Sequence, residues 1–176
     1  LPEARNILIG SNRMSLEAVG AAAGPGARII SDRLTGDVGA AAGRVIGAAR
    51  GAGPGPAVLV LGGETTVTLR GNGLGGRNQG LALRVALGMP PLGRDWVFLS
   101  GGTDGRDGPT DAAGGIVDAG TEARIRRAGQ DPDALLARND SHAALSAAGD
   151  LLVTGATGTN VADVQILILG EAGARR

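Results

Sequence analysis

The sequence predicts an α/β fold, a mixed sheet with helices packed on it, and three observations carry that expectation. Short apolar runs bounded by glycine alternate with longer segments whose apolar residues recur at helical spacing. Trp96 and Phe98 are the only aromatics, so the core must be built from Leu, Val, Ile and Ala. The 176 residues allow one good core, or one domain with part of a second, on a usual scale of about 100–200 residues per domain.

Residues 6–10 (NILIG) are predicted as a short buried strand, and Ser11 with Asn12 as the cap of a helix through Met14, Leu16 and Val19. A strand over residues 28–31 and a helix over 37–50 repeat the unit, which points to a parallel α/β layer in two or three tiers. The segment GAGPGP, residues 51–56, breaks the pattern and marks the expected domain edge. Residues 1–55 are then the end of one α/β unit, and residues 56–176 the next.

Residues 57–61 (AVLVL) form a buried strand bent by Gly62 and Gly63, and residues 65–70 an alternating one, in an antiparallel or bulged pair. A helix with Leu81, Leu83, Val85 and Leu87 follows, closed by Gly88 and stopped at Pro90. Residues 96–99 (WVFL) are the clearest buried strand. Beyond Ala112 the expected order is a helix with Ile116, Val117 and Ile125, a second opened by Asp131 and Pro132, and a third over 141–148. Residues 151–154 and 164–169 supply two closing strands.

Composition excludes several classes of function. Seventeen basic and seventeen acidic residues give no net charge, so nucleic acid is not an expected partner. Every basic residue is arginine, which leaves no lysine for catalysis or phosphate binding. Zero cysteines exclude disulfides and thiolate metal sites, and the single His142 excludes a multi-histidine one. No apolar run approaches the ~20 residues of a membrane helix and no leader opens the chain, so the cytoplasm is expected. The start at Leu1, close to an expected strand, suggests a piece of a longer protein.

Chemistry concentrates in the loop SGGTDGRDGPTDAAGG, residues 100–115, where Asp104, Asp107 and Asp111 sit among glycines just after a buried strand. Fixed charges at a water-excluded strand end suit phosphate, a metal ion or a hydroxyl that must lose its proton. Asp111 by itself reads as a helix cap. In GGRNQ, residues 75–79, Arg77 lies in the first turn of a helix whose N-terminus already carries partial positive charge. It therefore calls for an anion, which the N–H groups of Gly75 and Gly76 and the side chains of Asn78 and Gln79 would share. An arginine held only for that anion should leave thermal stability flat or raised when removed. Glu64, in GGETT at a strand bend, suits a metal or hydroxyl contact. Thr157, Thr159 and Asn160 lie in a donor-rich loop suited to phosphate. The match G-x-G-x-x-G over residues 71–76, with Asp95 downstream, keeps an NAD(P)-dependent reductase open as a rival reading. His142 fits a capping or surface role.

Five blocks, GGETT (62–66), GGRNQ (75–79), GTDGRDGPTDAAG (102–114), NDSHAAL (139–145) and GDLLVTGATGTNVAD (149–163), resemble in order and spacing the C-terminal half of type II glycerate kinases, the MOFRL domain. Several members of that family carry the label hydroxypyruvate reductase. The resemblance implies the C-terminal domain of a two-domain kinase that phosphorylates glycerate at its 2-hydroxyl with ATP and Mg2+. It implies Arg77 holding phosphate or the glycerate carboxylate, and Asp104 receiving or orienting the hydroxyl proton. Gly75, Gly76, Asn78, Gln79, Thr103, Thr157, Thr159 and Asn160 would line the substrate and phosphate sites, with Glu64 and Asp107 toward the metal. The family's N-terminal domain, with its lysine, becomes the expected partner, and a homodimer is one open form of assembly. Gly80 departs from the family, which usually has Glu there. A fragment that binds anions or a partner without turnover is the remaining alternative.

Overall fold

The computed structural model describes residues 4–173. In chain order the elements are α1 (Asn12–Ala23), β1 (Ala27–Ser31), β2 (Gly36–Asp37), α2 (Val38–Gly51), β3 (Ala57–Gly63), β4 (Thr65–Thr66) and α3 (Arg77–Gly88). Then follow β5 (Trp96–Gly102), β6 (Gly114–Asp118), α4 (Thr121–Arg127), α5 (Pro132–Ala137), α6 (Ser141–Ala148), β7 (Leu151–Leu152) and β8 (Asp163–Leu169).

Six strands make one mixed sheet in the order β1-β3-β8-β5-β6-β7. Only β1 and β3 run parallel in it, and β8 enters antiparallel between β3 and β5. Alternation along β8 directs Leu167 and Leu169 to the face where Val38, Ala41 and Val45 of α2 meet Leu81 and Val85 of α3. The opposite parity of β3 carries Gly62 against Leu16 and Asn12 of α1. The layer is thus three-tiered over β1, β3 and the start of β8. It is two-tiered beyond, where Val97, Ile116 and Ile168 stay 40%, 39% and 49% exposed.

Helix α3 is buried along most of its length. Leu83 turns away from the sheet to join Ile125, Leu135 and Ala144 in a second cluster under α4, α5 and α6. The expected caps are present: the Ser11 hydroxyl accepts the N–H of Met14, and Asp37 and Asp131 accept the first N–H groups of α2 and α5. Among the described residues no helix is long and apolar enough to cross a membrane.

Four expectations are corrected. Residues 6–10 form no strand, and Ile7, Leu8 and Ile9 are 69%, 75% and 91% exposed. An apolar run becomes a strand only when a ladder partner is beside it, and none is. Strand β4 stops at Thr66 and pairs in parallel with β2, not with β3, and residues 67–70 are irregular. GAGPGP is here the connection from α2 to β3, and elements from both of its sides share one sheet and one core. Finally, no helix follows Ala112. Residues 114–118 are β6, so the acidic loop closes a hairpin on β5 and only Ile125 of the expected helix is helical. Ile116 and Val117 favour strand intrinsically, Gly114 permits the close backbone approach to Ser100, and Gly115 leaves room for Leu145 and Ala82 packed over the strand.

That approach is testable. A Cβ on Gly114 would collide with the Ser100 carbonyl, so Gly114→Ala is expected to destabilise by about 1–3 kcal/mol or more. Gly43, on the exposed face of α2, meets nothing within 4 Å, so Gly43→Ala should stabilise by about 0.5–1 kcal/mol. Urea unfolding of both variants checks the pair of signs.

Candidate active site

The C-terminal ends of β3 and β5 and the start of β8 lie side by side, with Asp163 opposite Gly63 on one neighbour and Gly102 on the other. Helix α3 begins over this edge. Arg77 Nε donates to Asp163 Oδ2 at 2.7 Å and Nη2 to Oδ1 at 3.0 Å, while Nη1 lies 3.1 Å from Glu64 Oε1. Asp163 is 1% exposed, against 61% for the Glu64 side chain and 34% for that of Arg77. The anions that Arg77 calls for are therefore residues of this chain, one buried and one open to solvent. Asn12 of α1 reaches the same place, donating through Nδ2 to the carbonyls of Val161 and Asp163 at 2.9 and 2.8 Å.

The helix N-terminus has its own anion as well. Asp107 Oδ1 accepts the N–H of Asn78 at 3.0 Å and Oδ2 that of Gln79 at 2.8 Å. A Cβ on Gly76 would overlap that carboxyl group. The cradle expected to hold a ligand phosphate is filled by Asp107, which burial places above its usual carboxylate pKa despite the two N–H donors. Asn78 and Gln79 turn inward. Ser100 donates to Asn78 Oδ1 at 2.6 Å, and Gln79 Nε2 donates to the Asp107 carbonyl and Thr110 Oγ1 at 3.2 and 2.9 Å. Both side chains are buried, so neither is a solvent-facing ligand donor as expected.

The acidic loop and the loop before β8 are bound to one another. Thr103 Oγ1 donates to the Ala162 carbonyl at 2.7 Å and accepts the N–H of Val161 at 2.8 Å. Thr157 Oγ1 donates to the Thr103 carbonyl, and its N–H reaches the Asp104 carbonyl at 3.4 Å. The Asn160 side chain accepts the N–H of Ala162 at 3.3 Å. Thr157, Thr159 and Asn160 are exposed beside Asp104, which is half-buried with Oδ1 accepting the Arg106 N–H at 3.0 Å.

A cavity of about 460 Å3 opens on the edge, lined by Glu64, Thr66, Arg77, Asp107 and Pro109 among others. Arg77 and Asp104 thus belong to one sheet edge, but Asp104 does not line this cavity. Among the described residues no group of three His, Asp or Glu is placed to hold a metal ion. Asp107 is spent on the helix N-terminus, so of the two expected metal ligands only Glu64 faces solvent. His142 Nε2 lies 3.3 Å from Asp111 Oδ1, and Asp111 is exposed with no helix to cap.

The G-x-G-x-x-G stretch has a packing explanation. Cβ atoms on Gly73 and Gly75 would strike Arg138, Asp140 and Ser141, and the Gly73 N–H donates to the Arg138 carbonyl at 3.1 Å. No strand leads into it, and Asp95 precedes β5 where the fingerprint needs an acid at a strand's end. The glycines dock one loop on another, and the dinucleotide reading falls.

Sequence reasoning missed Asp163 as the partner of Arg77. Its signal is polar residues, Asp163 and Gln165, at the inward positions of an otherwise aliphatic strand.

A mixed α/β sheet with an arginine–carboxylate cluster on its strand-end edge defines the class of protein, and comparison gives the family. The chain belongs to the MOFRL family, which residues 57–163 match. It is 55% identical over 111 residues to the D-glycerate 2-kinase of Thermotoga maritima, covering 63% of this chain and 26% of that protein. It is 43% identical over 180 residues to the glycerate 2-kinase of Pyrococcus horikoshii, covering 96% of this chain and 40% of that one. The crystal structure of a Thermotoga maritima glycerate kinase superposes with a TM-score of 0.82 at 40% identity, covering 93% of this chain and 41% of that chain. The chain spans roughly a quarter to two-fifths of the length of these relatives.

Two predictions follow from the buried carboxylates. Arg77→Ala leaves Asp163 charged and unpaired, so it should destabilise by about 3 kcal/mol, the low end for a broken buried pair because the guanidinium is one-third exposed. This reverses the expectation of a flat or raised melting temperature. Adding Asp163→Asn should recover much of the loss in thermal unfolding. Asp107 has a folded pKa above its ordinary value of 3.8, so the native state holds its proton more tightly than the unfolded chain. Its contribution is full below the unfolded pKa and declines as pH rises toward the folded one. The wild-type chain should therefore lose stability relative to Asp107→Asn as pH rises from below the ordinary carboxylate value toward neutrality. Urea titrations at several pH values measure the gap, and a gap that widens with pH would mean that the N–H donors outweigh burial.

Proposed function

We propose that the chain is the C-terminal part of a glycerate 2-kinase-like phosphotransferase, moving a phosphoryl group from ATP to the 2-hydroxyl of glycerate. The reading is carried by identity to two glycerate 2-kinases, at 55% over 111 residues and 43% over 180, with the family match over residues 57–163 containing Glu64, Arg77, Asp104 and Asp163. Phosphoryl transfer asks for positioning and charge neutralisation more than covalent chemistry, and the edge offers both.

Arg77 is oriented by Asp163 through two parallel hydrogen bonds, which fixes the plane of its guanidinium. Its remaining Nη1 contact, to solvent-exposed Glu64, is the one an incoming phosphate or carboxylate can replace. Asp104, half-buried at the end of β5, is the group proposed to orient the attacking hydroxyl and take its proton. Thr157, Thr159 and Asn160 would add neutral donors from the loop bonded to it. A magnesium ion, when bound, would neutralise charge on the transferring phosphate. Such ions are usually held by one or two carboxylates together with substrate phosphates, and Glu64 is the exposed carboxylate here that fits. The missing lysine and the second wall of the cleft are proposed to come from the N-terminal part of the longer protein.

Coupled detection of ADP release with glycerate, on the 176-residue chain and on the longer protein, tests the reading. Activity is expected only in the longer protein, and comparable rates would show a self-contained site. Within the active form, Arg77→Lys keeps a charge on Asp163 but loses the fork, so kcat should fall by about 10²–10³ with little loss of stability.

A further inference from the structure

Arg84 is the one half-buried arginine among the described residues that has no partner. Arg77, Arg94 and Arg124, the other half-buried ones, are engaged by carboxylates or carbonyls. Arg84 Nε is buried without a hydrogen-bond acceptor, and the residue takes part in none of the described ion pairs. A buried donor left unmade is costly, so its position calls for an acceptor.

One turn earlier on the same helix face, Gly80 is buried, yet nothing lies within 4 Å of where its Cβ would be. Both residues line a narrow space beneath Leu69 and Leu136. Arg84 also lines an adjoining cavity of about 390 Å3 with Arg70, Asp37, Asp133 and Asn139, a volume in the range of small-molecule sites. Each of the two acids there has one oxygen engaged away from Arg70 and Arg84. Asp37 Oδ1 accepts the N–H groups of Gly39 and Ala40 at 2.8 and 3.3 Å, and Asp133 Oδ2 pairs with Arg126 at 3.0 Å. Arg70 and Arg84 form no described ion pair, so the cavity holds two uncommitted guanidinium groups.

We propose that this cavity is a binding site for a small oxyanion, a phosphate or carboxylate group gripped by Arg84 and Arg70. The site is separate from the Arg77 cavity, whose lining includes neither arginine. Guanidinium groups are suited to such ligands because their planar fork meets two oxygens at once.

Isothermal titration of the intact protein with inorganic phosphate and with malonate, against chloride at matched ionic strength, tests it. Saturable binding of phosphate or malonate is expected. Arg84→Gln and Gly80→Glu should each weaken it by about ten-fold or more, the order of one charge-assisted hydrogen bond. Gly80→Glu places a carboxylate one turn from Arg84, so it should also raise the melting temperature, which separates lost binding from lost fold. Arg77→Lys should leave unchanged the component of the titration that Arg84→Gln removes. No binding of either anion, binding indifferent to both Arg84→Gln and Gly80→Glu, or binding abolished by Arg77→Lys would each overturn the proposal. A protein without glycerate kinase activity that still binds phosphate through Arg84 would keep this site while losing the other.

Discussion

The buried carboxylate of Asp163 is the point through which five elements are tied together. Its backbone lies between β3 and β5, its carbonyl accepts Asn12 from α1, and its side chain clamps Arg77 at the start of α3. A carboxylate 1% exposed is tolerable only when its lone pairs are met, and the two-pronged contact with Arg77 meets them. The position of α3 over the sheet edge is thereby set by charge pairing as well as by Leu81 and Val85 in the core. Gly62, on the neighbouring strand, leaves the room that Asn12 and Leu16 of α1 occupy.

A second constraint runs deeper into the molecule. Asp107, Asn78, Ser100 and Gln165 form a buried polar chain from the helix start to the middle of β8, with links of 2.6 to 3.5 Å. Such a chain within an aliphatic core specifies one register, because sliding α3 by a residue would strand several polar atoms at once. The molecule satisfies at this edge most of the charges that a ligand would otherwise meet. Only the exposed flank, Glu64 against Arg77 Nη1 and the outer loops beside Asp104, is free to exchange partners.

Helix starts and stops were legible because they depend on neighbours in sequence. Ser11, Asp37 and Asp131 cap the helices they precede, and Gly88 closes α3. Strand pairing was not, because it depends on residues far away. The hydrophobic run at residues 6–10 has the composition of a strand but no ladder beside it, and residues 114–118 become one because β5 and β7 flank them. The candidate site divides in the same way. Arg77 at a helix N-terminus correctly signalled an anion, a local argument, while the identity of that anion lay 86 residues away in Asp163. Asp107, expected to face a metal, was claimed by the N–H groups of α3, a contact that no spacing rule reveals.

The placement of β8 has a consequence for how the molecule is made. It is the last strand in sequence and yet sits between β3 and β5, so the sheet cannot close until residues 163–169 have emerged. At synthesis rates of about 5–20 residues per second, the apolar edges of β3 and β5 stand without their central partner for several seconds. Neither edge carries a proline or a charged residue to blunt it. Until residues 163–169 emerge, these two edges are the ones open to wrong edge-to-edge pairing, and the same segment that closes the sheet brings Asp163 to Arg77.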